Sequence, residues 1–114
     1  MSNITPTSFN FIGESTELNG DLFIKGDTHI HGKVKGSITG DSSKTLIIEY
    51  TGQVEGDIIG INVIIQGQLL GNIINGLKVE ANSNARIKGS ISSKILEITP
   101  GAKIIGEIQS SQLN

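Results

Sequence analysis

Gly52-Gln53-Val54-Glu55-Gly56-Asp57-Ile58 sets two aliphatic side chains, Val54 and Ile58, on either side of a glycine. The figure is apolar, any residue, glycine, polar, apolar. It returns as Leu18-Asn19-Gly20-Asp21-Leu22, Val34-Lys35-Gly36-Ser37-Ile38, Leu69-Leu70-Gly71-Asn72-Ile73, Ile87-Lys88-Gly89-Ser90-Ile91 and Ile104-Ile105-Gly106-Glu107-Ile108. The central glycines, at 20, 36, 56, 71, 89 and 106, are 16, 20, 15, 18 and 17 residues apart. Self-similarity at a nearly constant period marks stacked repeats, each burying its apolar side against its neighbours.

Within each period a second apolar segment precedes the glycine figure: Leu46-Ile47-Ile48, Val63-Ile64-Ile65, Leu77-Lys78-Val79 and Leu96-Glu97-Ile98. Alternation inside these segments predicts strands with one face inward. The gap from the second inward residue to the glycine figure is six residues from Ile48 to Val54 and from Ile98 to Ile104. It is four from Ile30 to Val34 and from Ile65 to Leu69, and eight from Val79 to Ile87. A solenoid tolerates such variation, because an insertion at a corner bulges outward without shifting the rungs beside it. The longest insertion, Thr39 to Lys44, is expected to be a surface loop.

Asn75-Gly76 taken alone suggests a tight hairpin. A meander of hairpins, however, has no need of equivalent residues every 17 or so positions, whereas parallel rungs place each residue above its counterpart one period earlier. The residues following the repeat glycines, Asp21, Ser37, Asp57, Asn72, Ser90 and Glu107, then stack with no two acids adjacent. Lys35 falls beside Glu55, an attractive pair. The fold class read from these patterns is all-β, a parallel β-helix of about six short rungs, on the order of 25 to 30 Å long at the usual strand spacing.

Composition agrees. The 114 residues hold three Phe, one Tyr and no Trp, so the interior must be built from Ile, Val and Leu, which suit pleated strands. Fifteen glycines and two prolines fit a chain that turns often. A net charge of −2 supplies no basic footprint for nucleic acid. Without cysteine there are no disulfides and no thiolate sites. No apolar run spans a membrane and no secretion signal opens the chain, so the reading is cytoplasmic, and Asn3-Ile4-Thr5 is a chance glycosylation match. Residues 1–10 are expected to be a flexible tail whose candidate membrane contacts are Met1, Ile4 and Phe9, together with Phe11. Residues 11–109 form the repeat domain, and residues 110–114 a second flexible tail.

Few residues suggest chemistry. His29 and His31 share a strand face at ligand spacing, but no Cys, third His or acidic cluster at obvious ligand spacing joins them, so no metal site is assigned. Gly40-Asp41-Ser42-Ser43-Lys44-Thr45 lacks the glycine before the lysine that a phosphate-binding loop needs, and no helix follows. No nucleophile has a supporting base or oxyanion device. No cofactor and no catalytic residue is therefore assigned. Ile12, Leu18, Ile24 and Ile30 recur every six residues, as in the left-handed β-helix hexapeptide acyltransferases, but the step breaks after Ile30.

The strings Ile12-Gly13-Glu14-Ser15-Thr16-Glu17-Leu18-Asn19-Gly20-Asp21-Leu22, Gly32-Lys33-Val34-Lys35-Gly36-Ser37-Ile38 and Gly52 to Ile58 resemble the bactofilin domain over about residues 11 to 109. The resemblance implies a right-handed β-helix of triangular section. It also implies a cytoskeletal protein that polymerises end to end without nucleotide, sits at the inner face of the cytoplasmic membrane and scaffolds cell-shape or cell-wall proteins. Uncapped β-coils expose unpaired backbone and core atoms at both ends, which favours the same assembly. The expected joints are Phe11, Ile12, Leu18 and Leu22 in the first rung, and Leu96, Ile98, Ile104 and Ile108 in the last. Ile47, Ile64, Leu70 and Ile105 form a candidate lateral patch. A hexapeptide-type enzyme and a non-polymerising β-helical adaptor are the alternatives.

Overall fold

The computed structural model describes residues 9–113, with side chains from 10 to 110. The chain winds through six turns. The first holds β1 (Phe9–Ile12), β2 (Glu17–Asn19) and β3 (Leu22–Ile24); the second β4 (Asp27–Ile30), β5 (Lys33–Lys35) and β6 (Ile38–Gly40); the third β7 (Thr45–Ile48), β8 (Gln53–Glu55) and β9 (Ile58–Ile59). The fourth holds β10 (Asn62–Ile65), β11 (Gln68–Leu70) and the start of β12 (Ile73–Ala81). The fifth takes the rest of β12, then β13 (Arg86–Lys88) and the start of β14 (Ile91–Ile98). The sixth takes the rest of β14, then β15 (Lys103–Ile105) and the start of β16 (Ile108–Leu113).

The strand pairings are parallel and make three faces. The first runs β1-β4-β7-β10-β12-β14, the second β2-β5-β8-β11-β13-β15 and the third β3-β6-β9-β12-β14-β16, with the long β12 and β14 bending across the corner between third and first. This is a β-solenoid, and the six glycine figures are its second-to-third corners.

Register explains why the interior is aliphatic. On the second face Leu18, Val34, Val54, Leu69, Ile87 and Ile104 align one above another. On the third, Leu22, Ile38, Ile58, Ile73, Ile91 and Ile108 do the same. Most of these are buried outright, and only the residues of the terminal turns keep solvent contact. A parallel strand cannot turn a residue outward without turning its whole row, so burial of one row enforces the others. Ile61, at a corner, adds a fully buried side chain that lies outside both repeating segments.

At three of the corners the polar residue after the glycine also works between turns. Asp21 Oδ1 accepts the Ser37 backbone N–H at 2.9 Å, Asp57 Oδ1 that of Asn72 at 3.1 Å, and Asn72 Oδ1 that of Ser90 at 2.9 Å. A corner N–H with no strand partner is thus satisfied by the turn before it. Asn72→Ala removes one such bond and is expected to cost about 1 kcal/mol, seen as a drop of several degrees in Tm. Ser90→Ala, which keeps its backbone N–H, should melt like the parent.

Three sequence expectations are corrected. Val79 aligns with Val63, and Ala81 with Ile65, so the inward pair of the fifth turn is Val79 and Ala81. The gap to Ile87 is then the ordinary six residues. Lys35 does align with Glu55, but the lysine that reaches the carboxylate is Lys33, at 3.6 Å, on the diagonal. As parallel stacking requires, Asn75-Gly76 makes no hairpin: Asn75 takes φ 53° within the continuous β12, where the register shifts at the bend. Finally, residues 110–113, expected as a tail, continue β16, and the strand of the first turn already starts at Phe9.

Candidate functional site: the two ends of the solenoid

At the N-terminal end, β1, β2 and β3 each have one strand neighbour and present their other edge outward. Ile12 and Ile24 are nearly buried, and Leu18 and Leu22 are half-exposed against the core. With Asn10 and Thr28 they line a shallow depression of about 250 Å³. Thr28 sits inside the core, where its hydroxyl donates to the Gly26 carbonyl at 3.0 Å and accepts from Asn10 Nδ2 at 3.2 Å. Among the described residues this end has no cap.

Phe11 belongs to the flank and not to the end. It aligns with His29, is 62% exposed and lies with its ring centroid 4.6 Å from that of His31. His29 Nδ1 is 2.6 Å from Glu49 Oε2 in the turn above, and His31 Nε2 is 4.0 Å from the same oxygen. This small cluster ties three turns together. Among the described residues no group of three or more His, Asp or Glu side chains is arranged to hold a metal ion.

At the C-terminal end, β15 pairs only with β13, and β16 only with β14. Ile98 and Ile104 are half-exposed and Ile108 is 40% exposed. Leu96 is fully buried instead, and the backbone of β16 continues past it onto the first face, where Leu113 is its register partner. The open C-terminal rung is therefore Ile98, Ile104 and Ile108. Sequence periodicity could not show this, since β16 carries no glycine figure.

The candidate lateral residues divide between faces. Ile47 and Ile64 are half-buried neighbours on the first face, whereas Leu70 and Ile105 are exposed on the second with Lys88 between them. Met1 and Ile4 lie outside the described residues, as does the side chain of Phe9. No helix among the described residues is long and apolar enough to cross a membrane.

Edge chemistry gives these ends their meaning. Soluble β proteins blunt exposed edges with lysines, prolines or bulges, because a bare edge templates further strands. β1, β3 and β16 carry no charged residue, whereas β2 carries Glu17 and β15 carries Lys103. The molecule is thus a parallel β-solenoid whose open ends present largely aliphatic inward positions. A family model described as "Bactofilin: Polymer-forming cytoskeletal" matches residues 10–109, and the chain belongs to the bactofilin family. That family is polymer-forming and cytoskeletal. The chain is 36% identical over 97 residues to bactofilin BacO of Myxococcus xanthus, covering 85% of this chain and 75% of that protein. It is 32% identical over 97 residues to bactofilin BacP of the same organism, covering 85% of this chain and 40% of that protein. No solved structure matches the chain significantly.

Proposed function

We infer that this bactofilin polymerises by stacking its solenoids end to end, without nucleotide, into a cytoplasmic filament. The observation that carries the reading is the pair of open terminal rungs, without a cap among the described residues and with aliphatic inward positions, Ile12, Leu18 and Leu22 at one end and Ile98, Ile104 and Ile108 at the other. Each joint closes strand edges and buries aliphatic surface in one step, so the driving force is the same one that stacks rung on rung inside the chain. Hydrolysis of a phosphate has no place in such a scheme.

The reading extends to the inner face of the cytoplasmic membrane, reached by the N-terminal residues, and to the scaffolding of cell-shape or cell-wall proteins. Its support is family membership and the exposed Phe11 beside that segment. Electron microscopy of the purified protein in nucleotide-free buffer tests the core of the proposal. Filaments that form equally with and without added nucleotide are expected. Discrete trimers would point to the hexapeptide acyltransferase architecture, and monomers at all concentrations to a non-polymerising adaptor.

A further inference from the structure

The second face changes character along its length. Its outward positions in the first three turns mix signs, with Glu17, Lys33, Lys35 and Glu55, and Lys33 pairs with Glu55. In the last three turns one outward column reads Gln68, Arg86, Lys103 and the other Leu70, Lys88, Ile105. All six are exposed, Leu70 by 46% and Ile105 by 65%. None of the three cations has a carboxylate partner among the described residues, whereas Lys78 in the same half of the chain has two.

Charge across the whole chain sharpens the contrast. Residues 1–60 carry eight acids against four lysines, whereas residues 61–114 carry five cations against three acids. These cations thus stand at the positive end of an acidic molecule, on a sheet face where no carboxylate of the described residues pairs with them. Between them Leu70, the Lys88 stem and Ile105, with the buried Ile87 beneath, shape an open groove of about 220 Å³. That is below the roughly 300 to 1,000 Å³ of enclosed sites for small molecules. It suits one or two side chains laid in from a partner's backbone.

We propose that this groove docks an acidic, extended peptide segment of another protein, one apolar side chain lying between Leu70 and Ile105 and flanking carboxylates meeting Arg86, Lys88 and Lys103. Charge complementarity selects the occupant. An apolar anchor alone would gain little from a groove ringed by cations, and a basic segment would be repelled. The concave floor favours an inserted side chain over a lipid surface, which would rest on the rims. Because Arg86 and Lys103 are one turn apart on one column and Lys88 lies across from them, the carboxylates are read as a triangle and not as a line.

The test is fluorescence anisotropy with a fluorescein-labelled Glu-Asp-Leu-Asp-Phe-Asp-Glu peptide and its counterpart with lysine at every acidic position. Saturable binding of the acidic peptide is expected, weakened by added salt, with at least a ten-fold loss in Lys88→Glu and in Ile105→Glu. Lys35→Glu, on the same face but outside the groove, should bind like the parent. The substituted side chains are exposed, so melting temperatures should be unchanged, and Lys88→Glu should form filaments as the parent does. Equal binding of both peptides, or no loss in the groove variants, overturns the proposal. So does loss of filaments in Lys88→Glu, which would make the groove part of a joint between copies. Failure to bind the peptide, with pelleting on phosphatidylglycerol vesicles that Lys88→Glu abolishes, overturns it in favour of a membrane surface.

Discussion

Gly89→Ala is expected to unfold the chain or leave it insoluble, whereas the same change at Gly20 should leave it folded. Both glycines occupy equivalent corners, at φ 145° and 133°, a region that L side chains rarely adopt. That strain alone costs about 1 to 2 kcal/mol. They differ in what lies underneath. A Cβ on Gly89 would overlap the carbonyl of Gly71 in the turn before, and would also press on Asn72 Oδ1. Backbone has nowhere to retreat there, because Gly71 donates to Lys88 at 3.0 Å and Ile73 to Ser90 at 2.8 Å on either side of the clash. Separating the turns would break those bonds and open the core beside Ile73 and Ile91. A loss of about 4 kcal/mol or more is the expected scale, a large share of the stability of a domain this size. A Cβ on Gly20 meets no described atom within 4 Å. Urea melts of the two variants side by side check this, and equal midpoints would refute the steric reading of the corner.

Substitutions at either end of the solenoid should instead spare the fold and impair assembly. Ile104→Asp or Ile108→Lys places a charge in the face that the proposed end-to-end joint would cover, while barely disturbing the turn below it. Burying that charge in a dry joint costs several kcal/mol, and about 3 kcal/mol already raises the concentration needed for assembly roughly a hundred-fold. Soluble short species with the parent's circular dichroism are expected, read by high-speed pelleting and microscopy. Gly20→Ala adds a second, independent probe. The Cβ of each corner glycine points back toward the preceding turn, so at Gly20 the methyl projects off the N-terminal end. It should spare the fold and impair the joint. Filaments that sediment like the parent's in all three variants would show that the ends are not where copies meet.

How much of this could be read from the residues alone depends on how strongly each position is punctuated. Glycine with positive φ stacked on glycine leaves a mark every turn, so the six corners and the aliphatic columns beside them were legible from the chain itself. Small or unrepeated residues were not. Ala81 fills the place of Ile65 with so little side chain that Val79 and Leu77 look like the inward pair. Ile61 sits at a corner between two segments, outside either pattern. Leu96 looks terminal until the unpunctuated Gln109 to Gln112 is seen to continue a strand above it. The groove on the second face stayed hidden for another reason. Arg86 and Lys103 are 17 residues apart, and only exact register, which corner loops of varying length obscure, makes them neighbours.

The matched register of all three faces has one more consequence. Because every turn advances the coil by a single strand spacing, the subunit is a ruler graduated in steps of about 4.8 Å. Corner loops such as Asp41 to Lys44 change circumference without moving the graduations. Whatever a filament of this protein holds along its side would therefore be spaced by the number of turns per molecule, a length that can be altered only in whole steps.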